Sequence, residues 1–232
     1  RVHRRQRQMC IRDSYKPDEK NCHRLKKGQL YLCDSGGQYY GGTTDVTRTI
    51  YLGKKPKKEF IKMYTRVLIG HLNISMIKFP RGTKGYQIDS LARYSLWENG
   101  IDFNHGTGHG VGSFLNVHEG PQSISKTYSN VELQEGMIVS NEPGFYKNGE
   151  YGIRIENLVL VKKSKTKNFL EFETLTMFPY EKNLIDKEML NTKQKQWINN
   201  YHQAIYKNIS PYLKSDERVW LREKSFNFNL SR

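Results

Sequence analysis

The 232-residue sequence predicts an α+β fold, in which antiparallel strands and helices form separate groups. Predicted strands occur in two pairs, and each pair is joined by a link rich in glycine or other turn residues. The predicted helices are long and amphipathic and do not alternate regularly with single strands, as they would in a parallel sheet. Aromatic residues make up 12% of the chain, which argues against disorder.

The first strand pair covers residues 30–34 and 44–52, and the link between them reads SGGQYYGG. A helix is predicted over residues 57–79, because apolar side chains recur every three or four positions from Phe60 to Leu72.

A second amphipathic helix is predicted from Thr83 or Lys84 to Asn99, and Gly100 is expected to end it. A stretch rich in glycine and histidine follows over residues 104–121.

The second strand pair covers residues 136–142 and 151–162, with a turn between them. Residues 162–167 contain four lysines and are expected to form an exposed turn. Two further helices are predicted over residues 192–209 and from Ser210 to about residue 223.

The net charge of +15 first suggests a polyanionic partner such as nucleic acid. The excess is uneven, however: residues 1–14 carry +4 and residues 161–232 carry +6, whereas residues 30–160 hold 14 basic and 12 acidic side chains. We therefore interpret the charge as solvated basic surface at the two ends, and we expect no nucleic-acid partner.

Several protein classes are disfavoured by the composition. No apolar run approaches the roughly 18 residues of a membrane helix, and residues 1–14 lack the apolar stretch of a secretory signal. The spacing of Cys10, Cys22 and Cys33 suits neither a disulfide framework nor a zinc site. We expect reduced thiols and a cytoplasmic protein.

Residues 1–14 differ in composition from everything after them. They contain five arginines and no lysine, show no periodicity, and do not start with methionine. We interpret them as foreign sequence of the kind found at broken ends of assembled reading frames, and we expect the chain to be a C-terminal fragment.

Four carboxylates lie in or beside apolar predicted strands. Asp34 ends one strand and Asp45 lies in the next, so that a hairpin would place them side by side. Glu142 follows GMIVSN, and Glu156 lies within YGIRIENLVLV. A carboxylate in apolar surroundings costs free energy unless something neutralises it. His109 lies nearby in the sequence within HGTGHGVG, where glycines permit close backbone approach.

Four carboxylates and one imidazole suit hard divalent cations better than a thiolate site does. They could hold two ions about 3.5–4 Å apart, and a bridging water would then ionise near neutral pH and attack a carbonyl. Taken singly, each carboxylate has a plainer explanation, as a turn residue, a loop residue or a partner of Arg48 or Arg154. Taken together they favour a hydrolase. His71, on a predicted helix, is expected to be structural or exposed.

Four segments, DSGGQYYGGTTDVTRT, HGTGHGVGSFLNVHEGP, NEPGFY and GIRIEN, resemble the pita-bread metallopeptidase family, and most of all its Xaa-Pro aminopeptidase branch. The resemblance implies a curved antiparallel sheet covered by helices, the N-terminal part of which is truncated here. It covers about residues 15–230 and implies a catalytic domain over residues 15–172. Residues 173–232 resemble the short helical extension of that branch.

The resemblance also implies the ligands of a dinuclear centre, most often manganese in this family: Asp34, Asp45, His109, Glu142 and Glu156. Asp45 and Glu156 would bridge the two ions. Glu142 would also act as the general base.

Three further roles are implied by the same motifs. His118 would hydrogen-bond the scissile carbonyl, His105 would line the pocket for the penultimate proline, and Arg154 would orient ligand carboxylates. The implied reaction is hydrolysis of the first peptide bond of substrates with proline in second place. The family also suggests a homodimer.

One position departs from the family. Ser14 stands where a histidine precedes the segment resembling YKPDEKN, and the helices and strands that come earlier in the family are absent. We therefore expect this chain to be poorly active or unstable. The alternatives are a prolidase-type X-Pro dipeptidase and a non-catalytic binding module. The five matching ligands weigh against the module, and the C-terminal extension weighs against prolidase.

Overall fold

The computed structural model describes residues 24–114 and 116–229, together with the main chain of residues 3–6. The strands in this part of the chain are β1 (His3–Gln6), β2 (Leu30–Tyr39), β3 (Gly42–Tyr51), β4 (Lys78–Pro80), β5 (Gly108–His109), β6 (Ser123–Ile124), β7 (Ile138–Asn141), β8 (Gly144–Lys147), β9 (Tyr151–Arg154), β10 (Asn157–Lys163) and β11 (Phe169–Thr174). The helices are α1 (Lys58–Met76), α2 (Gly85–Trp97), α3 (Thr192–Ile209) and α4 (Ser215–Lys224). The predicted α+β class is confirmed.

The first predicted hairpin is present, but its strands are longer than expected. Most of SGGQYYGG belongs to β2 and β3, and only Tyr40 and Gly41 form the turn. Gly36 allows the two strands to approach closely, since a Cβ at this position would lie 2.6 Å from the carbonyl oxygen of Thr44. The other edge of β2 pairs antiparallel with β1, although no element is predicted for residues 1–14.

The first predicted helix ends earlier than expected. α1 stops at Met76, because Lys78–Pro80 forms β4 and pairs with β11. α1 packs closely on α2, since a Cβ on Gly70 would lie 2.0 Å from the carbonyl oxygen of Ala92. α2 lies within its predicted range, and Gly100 follows it with φ +68°.

The second predicted strand pair is more divided than expected. A four-stranded sheet has the order β4-β11-β10-β7, and the expected turn after β7 contains β8, which pairs with β9. The predicted strand over residues 151–162 breaks at residues 155–156, where the amide of Glu156 bonds the carbonyl of Thr47 on β3 instead. This break lets one segment serve two sheets.

Two hydrophobic clusters form the core. One joins α1 to β9 and to the C-terminal helices, through side chains such as Leu68, Ile153 and Ile198. The other lies between α1, α2 and the four-stranded sheet. α3 has the predicted bounds, whereas α4 starts later than predicted because Ser210–Tyr212 forms a 3₁₀ turn. None of the helices in the described ranges has the length and apolarity needed to span a bilayer.

Candidate metal centre

The β2–β3 hairpin supplies two carboxylates from one face, although not as directly opposed partners. Asp34 pairs with Thr47, and Asp45 pairs with Gly36. The two aspartates are therefore diagonal neighbours on the same face, where side chains of adjacent strands still reach one another. The two carboxylates lie close together, as expected, although the register offsets them by two residues.

Two glutamates approach the hairpin from strand ends, and each is only 2% exposed. The amide of Glu142 donates to the carbonyl of Thr107 at 2.7 Å. The amide of Glu156 donates to the carbonyl of Thr47 at 3.1 Å, and the Thr47 hydroxyl donates to the Glu156 carboxylate at 2.6 Å. Main-chain bonds thus fix where both carboxylates point.

Two histidines border the carboxylates. The Nε2 atom of His109 lies 3.5 Å from Asp45 and 3.3 Å from Glu142. Its Nδ1 atom lies 3.0 Å from the carbonyl of Gly110, which fixes the ring orientation. His118 is exposed, and its ring packs edge-on against His109 at a centroid distance of 4.2 Å.

All five residues expected as metal ligands come together. Three overlapping groups each place their ligand atoms within 4.8 Å of one another. They are Asp34, Asp45 and Glu156; His109, Glu142 and Glu156; and Asp45, His109 and His118. Asp45, His109 and Glu156 each belong to two groups, so the three groups share members and form one continuous cluster.

The site carries more negative charge than its own cations offset. Arg154 is buried and lies 2.6 Å from Asp34 and 3.6 Å from Glu142. Burial, followed by the charges of Asp45 and the other carboxylates, nevertheless raises the pKa of Glu156 well above its usual range, and Arg154 opposes this only in part.

The histidine responds to the same excess of negative charge. Burial opposes the protonation of His109, but the hydrogen bond with Asp45 and the charge of Glu142 outweigh it and raise the His109 pKa. A buried group of carboxylate oxygens and imidazole nitrogen, short of positive charge, fits divalent cations of the Mg²⁺ and Mn²⁺ type.

His105 lies beside the carboxylates in a hydrogen-bonded chain. Its Nε2 atom lies 2.7 Å from the hydroxyl of Tyr146, and that hydroxyl accepts a hydrogen bond from Arg154 at 3.0 Å. His105 also packs against the ring of Phe103. Sequence reasoning missed Tyr146, which ends the NEPGFY segment, four residues after Glu142.

A buried arginine that sequence reasoning also missed holds the loop before His109. Arg93 pairs with Asp89 at 2.6 Å and Asp102 at 2.8 Å, and donates to the carbonyl of His105 at 2.9 Å. Burial would raise the pKa of Asp102, but hydrogen bonds from Arg93 and Lys126 outweigh it and lower that pKa to about 2. The spacing of Asp89 and Arg93, one helical turn apart, was the available signal.

Other expectations are resolved only in part. His71 is fully buried and hydrogen-bonded, which confirms the structural alternative and excludes the exposed one. Cys33 is a free thiol. Cys10, Ser14 and Cys22 lie outside the described residues.

Comparisons with known proteins agree with this geometry. Residues 10–163 match Metallopeptidase family M24, and residues 168–226 match the C-terminal region of peptidase_M24. The chain belongs to metallopeptidase family M24. Residues 10–163 include all five of the clustered metal-ligand candidates, so the family match and the acidic cluster fall on the same segment.

Curated relatives are about half identical to this chain over the aligned residues. A probable Xaa-Pro aminopeptidase P of Coprinopsis cinerea is 52% identical over 221 residues, covering 91% of this chain and 35% of its own length. The corresponding protein of Laccaria bicolor is 51% identical over 220 residues, covering 90% of this chain and 34% of its own length. The chain thus spans about a third of these relatives.

Solved M24 structures share the fold. X-prolyl aminopeptidase from Caenorhabditis elegans, described as a cytosolic enzyme with a di-nuclear active site, matches with a TM-score of 0.91 and 40% identity. It covers 98% of this chain, and the match covers 38% of that protein. Prolidase from Pyrococcus furiosus matches with a TM-score of 0.56 and 33% identity, over 65% of this chain and 42% of its own. The predicted pita-bread fold is confirmed.

Proposed function

We propose that this chain carries most of the catalytic region of a metal-dependent Xaa-Pro aminopeptidase. The observation that carries the proposal is the convergence of four carboxylates and two histidines in overlapping groups with shared members. The Xaa-Pro aminopeptidase relatives, which match nearly the whole chain, support this activity over that of a prolidase.

The proposed ligands of two divalent ions are Asp34, Asp45, His109, Glu142 and Glu156. Asp45 and Glu156 are the proposed bridging ligands, because each belongs to two of the three groups and has two carboxylate oxygens. His109 also belongs to two groups, but its Nδ1 atom is engaged by the carbonyl of Gly110 and only Nε2 faces the carboxylates. Manganese is the proposed metal because the family resemblance implies it, and the mostly oxygen donor set is compatible with it. When bound, the ions would lower the pKa of a water and polarise the peptide carbonyl.

Glu142 is the proposed general base. Its carboxylate is buried between His109 and Arg154, within hydrogen-bond range of Ser140 at 3.1 Å. In this position Glu142 takes the proton of the attacking water and later returns it to the leaving amine.

The two remaining histidines act on the substrate. Exposed and next to His109, His118 donates a hydrogen bond to the scissile carbonyl oxygen and stabilises the charge that develops there. His105, held by Tyr146, lines the pocket for the penultimate proline. The amide before proline carries no N–H, so recognition must come from ring contacts of this kind.

Arg154 is proposed to orient the ligand carboxylates. It donates to Asp34 at 2.6 Å and lies near Glu142, so that one guanidinium fixes two carboxylates on opposite sides of the cluster.

The remaining expectations extend the proposal. We propose a catalytic unit up to about residue 172 and a helical extension after it, and the two family matches at residues 10–163 and 168–226 support this division. We also propose residence in the cytoplasm, which the description of the Caenorhabditis elegans enzyme supports. A homodimer stays a prediction.

The test measures how many metal ions the chain binds and how fast it cleaves substrates of different length. Purified chain is loaded with Mn²⁺, its bound metal is measured by mass spectrometry, and cleavage of X-Pro dipeptides is compared with cleavage of longer X-Pro peptides. We expect two ions per chain and faster cleavage of the longer peptides. Glu142→Gln is the matched control and should abolish cleavage.

Each other result points to a different protein. Preference for dipeptides would favour the prolidase type, and a chain that binds no metal would favour a non-catalytic module. Full turnover would contradict the expectation that this chain is poorly active.

A further inference from the structure

We propose that Arg48 is a positioning residue, which holds the main chain of Glu156 in place by tying it to the C-terminal region. The inference rests on the proposed function, because Glu156 is the proposed bridging ligand. Arg48 itself faces away from the carboxylates and touches no proposed ligand side chain in the described structure.

The guanidinium of Arg48 is almost fully enclosed, at 4% exposure. Its five N–H groups have six oxygens within hydrogen-bond range, from four parts of the chain. The acceptors are the carbonyls of Thr47 at 2.9 Å, Glu156 at 2.6 Å, Phe178 at 2.6 Å and Pro179 at 3.1 Å, the amide oxygen of Asn157 at 2.7 Å, and the hydroxyl of Tyr201 at 3.1 Å.

Two adjacent residues of β3 hold Glu156 from three directions. The Thr47 carbonyl accepts from the Glu156 amide, the Thr47 hydroxyl donates to its carboxylate, and Arg48 donates to its carbonyl. Glu156 lies at the break between β9 and β10, where no sheet ladder fixes the chain. Arg48 therefore replaces the missing ladder bond.

A second set of contacts extends this support to the other glutamate. Asn157, bonded by Arg48, donates to the hydroxyl of Tyr180, which lies 3.0 Å from Nε2 of His71. The Nδ1 atom of His71 lies 3.1 Å from the carbonyl of Asn141, the residue before Glu142. The chain positions of both proposed glutamate ligands thus depend on one buried network.

The contribution of Arg48 is geometric. All of its hydrogen-bond partners in the described part of the chain are neutral oxygens, and the rings of Phe178 and Tyr180 lie within 6 Å of it. A lysine would keep the charge but lose the planar fork that reaches several carbonyls at once. Arg48→Lys therefore separates position from charge.

The test compares Mn²⁺ binding to the full chain and to Arg48→Lys by titration calorimetry. Loss of an outer hydrogen-bond partner of a metal ligand weakens metal affinity by about 10- to 100-fold, and we expect this range for Arg48→Lys. We also expect kcat to fall while KM changes little, because the substrate pocket is untouched.

A matched control separates this effect from general loss of stability. Phe79→Leu alters the second hydrophobic cluster, where Phe79 packs on Phe172, and lies outside the Arg48 network. Both variants should melt at a lower temperature without metal, but only Arg48→Lys should bind Mn²⁺ more weakly. If Arg48→Lys does not fold, Tyr201→Phe replaces it in the same titration. Tyr201→Phe removes one hydrogen-bond acceptor of Arg48 and should weaken Mn²⁺ binding about 2- to 10-fold.

The outcomes are distinguishable. Wild-type chain that binds two ions, with variants that bind them equally well, would overturn this inference and leave the proposed function intact. Wild-type chain that binds no divalent ion would overturn both. An equal loss of affinity in Phe79→Leu would show that Arg48 acts only on overall stability.

Discussion

Two buried arginines lie on either side of Glu156, and they differ in the charge of their hydrogen-bond partners. On one side, Arg154 pairs with carboxylates at 2.6 and 3.6 Å within the acidic cluster. On the other side, Arg48 is equally enclosed, but it meets carbonyls, an amide and a hydroxyl. One guanidinium supplies charge to the site, and the other supplies position.

The difference shows how an acidic site can be kept both charged and ordered. More cations among the carboxylates would neutralise them and remove the reason for a metal to bind. Neutral acceptors behind the site let Arg48 fix the backbone without pairing with any ligand carboxylate. We call the Arg154 side of Glu156 the ionic side and the Arg48 side the neutral side. The stability of the ionic side should therefore depend on bound metal, whereas that of the neutral side should depend on its hydrogen bonds.

The largest effect is expected from Glu156→Gln, which removes charge and keeps an oxygen for the Thr47 hydroxyl. Metal binding and activity should fall by more than the roughly 10- to 100-fold that loss of an outer partner costs. Metal-free variant should unfold at higher urea than wild type, because a buried charge among like charges is removed. If the metal-free variant instead unfolds at a lower urea concentration than metal-free wild type, the carboxylates around Arg154 do not carry an excess of negative charge.

The next effect is expected from Arg154→Met. Without metal it leaves Asp34 and Glu142 without their buried partner, and we expect the free energy of unfolding to fall by about 3–5 kcal/mol. Saturating Mn²⁺ should reduce this loss, because the ions supply the missing charge. Urea denaturation with and without Mn²⁺ measures both values.

Arg154→Lys is the matched control for this prediction. It keeps the charge and should retain more of the stability of the metal-free chain. If Arg154→Met lowers the free energy of unfolding equally with and without metal, Arg154 stabilises the chain by packing and not by its charge. Arg154 and Arg48 would then not differ in the way described above.

The effect that is smallest at neutral pH is expected on the neutral side, from the pH dependence of stability. Burial lowers the pKa of His202 to about 4 and that of His71 to about 3. Because unfolding returns each histidine to its usual pKa near 6.5, stability is present above pH 6.5 and is lost as pH falls toward these values. Each histidine contributes up to about 1.4 kcal/mol per pH unit in that range.

His202→Gln tests this slope. His202 is bonded to the carbonyl of Phe226 and to the amide of Tyr180, both of which a glutamine can address. With chelator present, so that release of metal at low pH does not contribute, the variant should lose less stability than wild type between pH 6.5 and 4. Parallel curves for the two proteins would show that folding does not lower the pKa of His202.

Much of the molecule was predictable because local signals and motifs were strong. The helix predicted over residues 192–209 has those bounds in α3, and Gly100 follows the end of α2 as predicted. The five residues of the candidate metal centre were found because carboxylates stand out in apolar strands and because the motifs around them are long. Thr47 was missed, although it lies two positions after Asp45 and so on the same face.

Other features depended on contacts between distant segments. β4 ended α1 early because it pairs with β11, about ninety residues later in the chain. The register that sets Asp34 diagonal to Asp45 depends on glycines that let two strands approach closely, which the sequence analysis had assigned to a turn.

By itself, the sequence determined the fold class, the family and the residues able to hold metal, because these depend on residue types and local spacing. Only the tertiary structure decided what surrounds them. The sequence allows Arg48 to pair with a nearby carboxylate such as Asp45, yet Arg48 bonds the carbonyl of Glu156 and that of Pro179, 131 positions away. Such pairings follow from how the C-terminal region packs against β3, and no local pattern around Arg48 records where that region will lie.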